Sequence, residues 1–234
     1  YGFNKSHAAA YCVITAQTAW IKHYYPAEFF AALLSTEVGD TDKVVKYVKD
    51  AQKRGLKVRP PHINFSDYLF TANDDEIYFG LGAIKGIGQS AVEAILEARN
   101  SMKHNKFDTV EEFFNAVDLR RVNKKVIENL IKAGAFDDFG YHRAQLTIGY
   151  PQFLDRAVET QKDKELGQVS LFDLSSQDET KVVLVKTPQW TRIQSLSNEK
   201  EVLGFYLSDH PLRGFENFSK VWASAQVADL PEYF

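Results

Sequence analysis

Lys85-Gly86-Ile87-Gly88 puts two glycines around one apolar residue, with a cation ahead of them and a helical pattern behind. Glycine takes a positive φ without penalty and lets another backbone come close. A helix start leaves unpaired N–H groups and a partial positive charge. Glycines in front of a helix that begins at Gln89 or Ser90 therefore open a binding place for an anion such as phosphate. The plain alternative is an αα-hairpin with a glycine turn. Gly134 stands in a second glycine-containing turn, preceded by Arg120, Arg121, Lys124 and Lys125 and followed by Arg143. Asn4-Lys5-Ser6-His7 precedes a third helix start, with a cation and a hydroxyl at a natural anion position; ordinary capping is the simpler account of it. Gln168-Val169-Ser170-Leu171-Phe172 is an apolar pair in a polar stretch. Such a pair either enters a pocket on a partner, with the Gln amide fixing register, or packs back on its own domain.

Catalytic patterns are missing. No G-x-S-x-G, phosphate loop of the Walker type or helical H-x-x-x-H pair occurs. His7, His23, His62, His104, His142 and His210 are scattered, and Asp74-Asp75 and Asp137-Asp138 read as turn residues. Nothing resembles the carboxylate set of two-metal phosphoryl chemistry. No metal site and no catalytic residue is expected here.

The chain has 234 residues, 44% hydrophobic and 25% charged, an ordinary globular composition. The single Cys12 excludes a disulfide framework, and its apolar helical surroundings predict a buried small hydrophobe. A reducing cytoplasmic setting fits, and no stretch reaches membrane-spanning length. Tyr1 falls inside a running element with no initiator Met, which reads as an excised piece. Net charge is −3, but it is unevenly spread. Lys43 to Arg59 holds seven Lys or Arg and one acid, whereas Tyr150 to Phe234 holds nine bases and thirteen acids. Any nucleic-acid contact belongs to the first part.

The elements that must position these residues are mainly helical. A helix over Ala8–His23 is followed by one from Ala27 to about Ser35, with Pro26 at its start. A third runs from an Asp40 or Thr41 cap to Arg54, with Gly55 behind it. Val44, Val45, Val48 and Ala51 form its apolar face, and Lys43, Lys46, Lys49 and Lys53 its other face, either solvated or turned toward phosphates. Phe65–Phe70 and Glu76–Phe79 around Asn73-Asp74-Asp75 predict a small β-hairpin. Helices over Phe107–Val117, capped by Thr109 with Glu112 at the capping-box position, and Asn123–Ala133 follow. A long helix starts near Tyr141, and the last runs from Ser195 or Ser197 to Ser208. Helix, glycine turn, helix thus occurs twice, and two weak backbone grips reinforce each other.

The string Gly80 to Arg99 resembles a helix-hairpin-helix motif, which binds DNA backbone without reading sequence. FNKSHAAAY (Phe3 to Tyr11), YPAEFFAALLS (Tyr25 to Ser35), PPHIN (Pro60 to Asn64), GLGAIKGIG (Gly80 to Gly88), LIKAGAFD (Leu130 to Asp137) and EVLGFYLSDHPL (Glu201 to Leu212) occur in this order. Together they resemble the alpha-subunit family of bacterial replicative DNA polymerase III, the C-family polymerases. The resemblance implies a late fingers segment over residues 1–71 and a tandem helix-hairpin-helix DNA-binding region over 72–165. A clamp-binding loop over 166–190 and a helix leading toward an absent OB domain over 191–234 would follow. It implies duplex DNA contacts from Lys85, Gly86, Ile87, Gly88, Lys124, Gly134 and Arg143. Gln168, Leu171 and Phe172 would dock on the sliding clamp, and Lys5, Ser6 and His7 would lie near the incoming nucleotide. The palm, with its carboxylates and Mg²⁺, would lie elsewhere, so that this piece alone would be inactive in nucleotidyl transfer. Other replisome subunits are implied partners. A non-catalytic DNA-binding adaptor recruited to the clamp would use the same parts, and a helical scaffold without DNA affinity is the third reading.

Overall fold

A computed structural model describes residues 2, 4–165 and 182–223. The fold is mainly α. Helix α1 (Lys5–Tyr24) leads into α2 (Pro26–Thr36) and α3 (Thr41–Lys53). A small sheet follows, of β1 (Lys57–Arg59), β2 (Thr71–Asn73) and β3 (Glu76–Tyr78). Then come α4 (Gln89–Ser101), α5 (Val110–Ala116), α6 (Lys124–Ala133) and α7 (Arg143–Glu165). Beyond residue 182 stand α8 (Arg192–Leu203) and α9 (Glu216–Trp222).

Local chemistry explains most boundaries. Asn4 caps α1 by accepting from the Ser6 amide, so α1 begins three residues earlier than its apolar pattern suggests. Pro26 opens α2, where its missing N–H costs nothing. Asp40 caps α3 through the Lys43 amide, and Gly55 follows with a φ of 86°. Thr109 accepts from the Glu112 amide, while the Glu112 carboxylate takes the Asp108 amide; α5 therefore starts at Val110. α8 starts and ends earlier than expected. Thr191 and Gln194 form a reciprocal capping box, and Gly204, with a φ of 90°, stops the helix before Phe205 and Tyr206.

The β-hairpin turns at Asp74-Asp75, with Asp74 at a φ of 52°. Its first strand is Thr71–Asn73, not Phe65–Phe70. The latter stretch is a loop held by side chains and by the backbone ahead of the glycine turn. Arg99 donates to the carbonyls of Ser66 and Ile63 and to the Asp67 carboxylate. Leu81 and Gly82 amides donate to Asp67 and Tyr68 carbonyls, and the Phe70 amide donates to Ser35 Oγ. β1 joins β3 in parallel, giving the order β1-β3-β2.

α2 packs on the sheet and on α3; α5 and α6 pack on α7, and α8 lies against α6. Buried apolar side chains form one cluster from Ala27 through Ile77, Ile95, Ile127 and Phe153 to Phe205. A boundary between residues 71 and 72 would cut β2 and divide this cluster. α1 stands outside it. The helix has no buried residue and meets the rest through α2, so Cys12 is exposed rather than buried.

The PPHIN segment is a structural knot. Asn64 pairs with both backbone groups of Phe107, accepting its N–H and donating to its carbonyl, each at 2.9 Å. The Ile63 amide donates to the Ala135 carbonyl. His62 accepts the Asn64 amide at Nδ1 and meets Asp138 Oδ2 at 3.0 Å through Nε2. Burial lowers the His62 pKa, with the Asp138 carboxylate opposing it. The neutral ring carrying its proton on Nε2 satisfies both neighbours.

Candidate nucleic-acid interface

The first glycine turn enters through a single 3-10 turn, Leu81–Ala83, rather than an α-helix. Ile84 and Ile87 are buried and anchor it, while Lys85, Gly86, Gly88, Gln89 and Ser90 are exposed. Ile87 is thus the foot of the turn and not a surface contact. Gly86 has a φ of 76°, the left-handed region, and lies over Asn129 of α6. Asn129 Nδ2 donates to the Lys85 carbonyl at 2.7 Å, and the Lys85 amide donates to the Val202 carbonyl at 2.8 Å. Two distant helices thereby hold both backbone groups of Lys85.

Gly88 is different. Its φ of −84° and ψ of 163° suit any residue, and a Cβ there would meet nothing within 4 Å. As the N-cap of α4 it supplies no side-chain bond. The amides of Gly88, Gln89 and Ser90 have no acceptor among the described residues; Ala91, donating to the Gly88 carbonyl, is the first satisfied. Three exposed residues at a positive helix end thus carry N–H groups unpaired among the described residues.

Arg121, from the loop between α5 and α6, reaches across to this helix start. It donates to Ser90 Oγ at 3.0 Å and pairs with Glu93 and Glu97. The loop and the α6 N-terminus, with exposed Lys124 in its first turn, are thus carried beside α4. Arg121 was legible only as part of a basic cluster. Asn129 had a clearer signal, a polar residue inside the apolar run Val126, Ile127, Leu130, Ile131.

The second glycine turn is closed. Gly134 has a φ of 86°, and a Cβ there would collide with the Arg143 guanidinium. Arg143 is bidentate on Asp137 and donates to the Lys132 carbonyl, with a side chain 16% exposed. Ala135 and Phe136 are buried, and His142 Nδ1 takes the Gln145 amide at the start of α7. The structure brings Gly134 and Arg143 together, but the arginine is neutralised within the turn and withdrawn from a phosphate.

Lys5, Ser6 and His7 form the exposed first turn of α1. Ser6 gives both its amide and its hydroxyl to Asn4 Oδ1, so that helix start is capped from within. Gln168, Leu171 and Phe172 lie outside the described residues. Among the described residues no three His, Cys, Asp or Glu side chains gather to hold a metal, so no step through Mg²⁺ is assigned to these residues. No described helix is long and apolar enough to cross a membrane.

Comparison with known proteins agrees with this architecture. A family model for a helix-hairpin-helix motif matches residues 55–146, the span that contains α4, α5 and α6. The chain is 38% identical over 233 residues to DNA polymerase III subunit alpha of Haemophilus influenzae, a match covering 98% of this chain. It is 44% identical over 212 residues to the protein of the same name in Neisseria meningitidis serogroup B, and 40% identical over 218 residues to that of Escherichia coli K12. The matches cover 90% and 92% of this chain. They cover 20%, 18% and 19% of the three relatives, so the chain spans about a fifth of their length. Over the stretch that it covers, the chain belongs to the DNA polymerase III alpha-subunit family.

Proposed function

We propose that this chain is the part of a replicative DNA-directed DNA polymerase that holds duplex DNA by its backbone. The carrying observation is Gly88: it has no internal reason to lack a side chain, and its own amide and the next two are unpaired among the described residues. A phosphate seated there would accept from those amides, with exposed Lys85 in the same turn and Lys124 in the first turn of the neighbouring α6. No base-reading side chain is needed, which suits an enzyme that must hold all sequences alike.

Gln168, Leu171 and Phe172 dock on the sliding clamp, and the linked weak contacts hold the enzyme to its template by effective concentration. Lys5, Ser6 and His7 lie toward the incoming nucleotide. Nucleotidyl transfer itself, with its Mg²⁺ ions, belongs to carboxylates elsewhere in the polymerase. A salt titration of this chain on duplexes of unrelated sequence tests the grip. Affinity should be alike for all sequences and should fall as a power of salt concentration. A flat salt response or marked sequence preference would refute it.

A further inference from the structure

We propose that the lysine face of α3 is a second phosphate track that continues the hairpin site along the same duplex. This rests on the reading of Lys85–Ser90 as a backbone grip. Val44, Val48 and Ala51 are buried, and the helical period sets Lys46, Lys49 and Lys53 on the opposite side, all exposed. Arg54 extends the face beyond the last turn and is also exposed.

Several other cations of the chain are paired with carboxylates. Lys43 pairs with Glu37 and Asp40, while Lys57 and Arg59 both pair with Glu76. Arg99, Arg121, Lys132, Arg143, Arg192 and Arg213 likewise bind carboxylates. Lys46, Lys49, Lys53 and Arg54 have no carboxylate within 4.0 Å among the described residues, although Asp42 and Asp50 stand on the same helix. Lys46 lies only at 5.9 Å from the Tyr47 ring centroid. These lysines and Arg54 therefore form no direct ion pair among the described residues, with Asp42 and Asp50 one helical turn from Lys46.

The position of this lysine face selects the partner. A Cβ on Gly204 would sit 2.7 Å from Thr41 Cγ2 and 3.6 Å from Lys85 Nζ. The first residue of α3 thus lies near the ammonium at the glycine turn, and the helix runs on from there to Lys46, Lys49 and Lys53. Lys46 and Lys53 are separated by about 10 Å of helix rise. One DNA strand presents about three phosphates in that distance, at about 3.4 Å of rise each. Three lysines over that span fit a phosphate strand leaving the hairpin.

The test is the salt dependence of duplex binding by this chain, with helicity checked by circular dichroism. In Lys46→Gln/Lys49→Gln/Lys53→Gln the slope of log K against log salt should fall in magnitude by about 2.7, and in Lys49→Gln alone by about 0.9. Lys43→Gln, at a lysine already paired, should leave the slope unchanged. A wild-type slope in the triple variant, with Lys85→Gln still weakening binding, would overturn the α3 track alone. A wild-type chain without DNA affinity would overturn the grip and, with it, the track.

Discussion

Gly88→Ser separates stability from DNA binding and moves them in opposite directions. Serine fits the existing backbone, at a φ of −84° and ψ of 163°, in a site with no neighbour within 4 Å. Losing glycine removes freedom from the unfolded chain, a gain of about 0.4–1 kcal/mol. A serine N-cap also accepts an α4 amide where glycine offers nothing; glycine ranks below serine there by a few tenths of a kcal/mol. Urea unfolding should show a gain of about 1 kcal/mol without a change in slope. The same hydroxyl takes an amide that a phosphate would use and stands in its path. Hydrogen bonds to a charged group are worth about 1.5–3 kcal/mol each, so losing one weakens duplex binding by about tenfold to a hundredfold. Fluorescence anisotropy on a labelled duplex at fixed salt measures it. A stabilised Gly88→Ser variant with wild-type affinity would show that the α4 amides do not hold DNA.

Gly86→Ala should act on the fold instead. The residue sits at a φ of 76°, with a Cβ 3.0 Å from Asn129 Nδ2, and a left-handed alanine costs about 1–2 kcal/mol; an unchanged urea midpoint would contradict the geometry. His62 makes stability depend on pH. Burial holds its folded pKa below the unfolded value, so the unfolded chain binds more protons below about pH 6.5. Its contribution is complete above that pH and is lost as pH falls, and His62→Asn should flatten this part of a stability–pH curve measured by urea unfolding. Leu171→Ala with Phe172→Ala should abolish binding to the sliding clamp in a surface-plasmon assay while leaving duplex affinity intact; retained clamp binding would sink the docking assignment.

Sequence reading succeeded where structure is set by neighbours along the chain. Pro26, Asp40 and Gly55 bound their helices by cap chemistry, and Asn73-Asp74-Asp75 turned the chain into β3. The glycine turn was also readable, because small and apolar residues alternate there at close spacing, but Ile87, expected among the DNA contacts, is buried beneath it. Long-range partners were not. Nothing near Lys57 indicates a parallel pairing with β3, and nothing near Gly134 shows that Arg143 folds back to fill its turn. Arg121 reaches Ser90 from a loop whose charge alone could face anywhere. Cys12 was misjudged because apolar periodicity reports what a helix could bury, whereas α1 buries none of its residues.

The hydrogen bond from the Lys85 amide to the Val202 carbonyl makes the recognisable motif smaller than the cooperative unit that forms it. A chain cut at residue 146, where the helix-hairpin-helix match ends, would keep Gly86 and Gly88 and still lack the acceptor for Lys85 and the Gly204 backbone beside it. The turn has its full set of backbone bonds only with α8 docked on α6. Contacts this distant along the chain form late, because the loop between them must first be closed. On the proposed reading, DNA-gripping competence would then belong to residues 85 to 202 folded together.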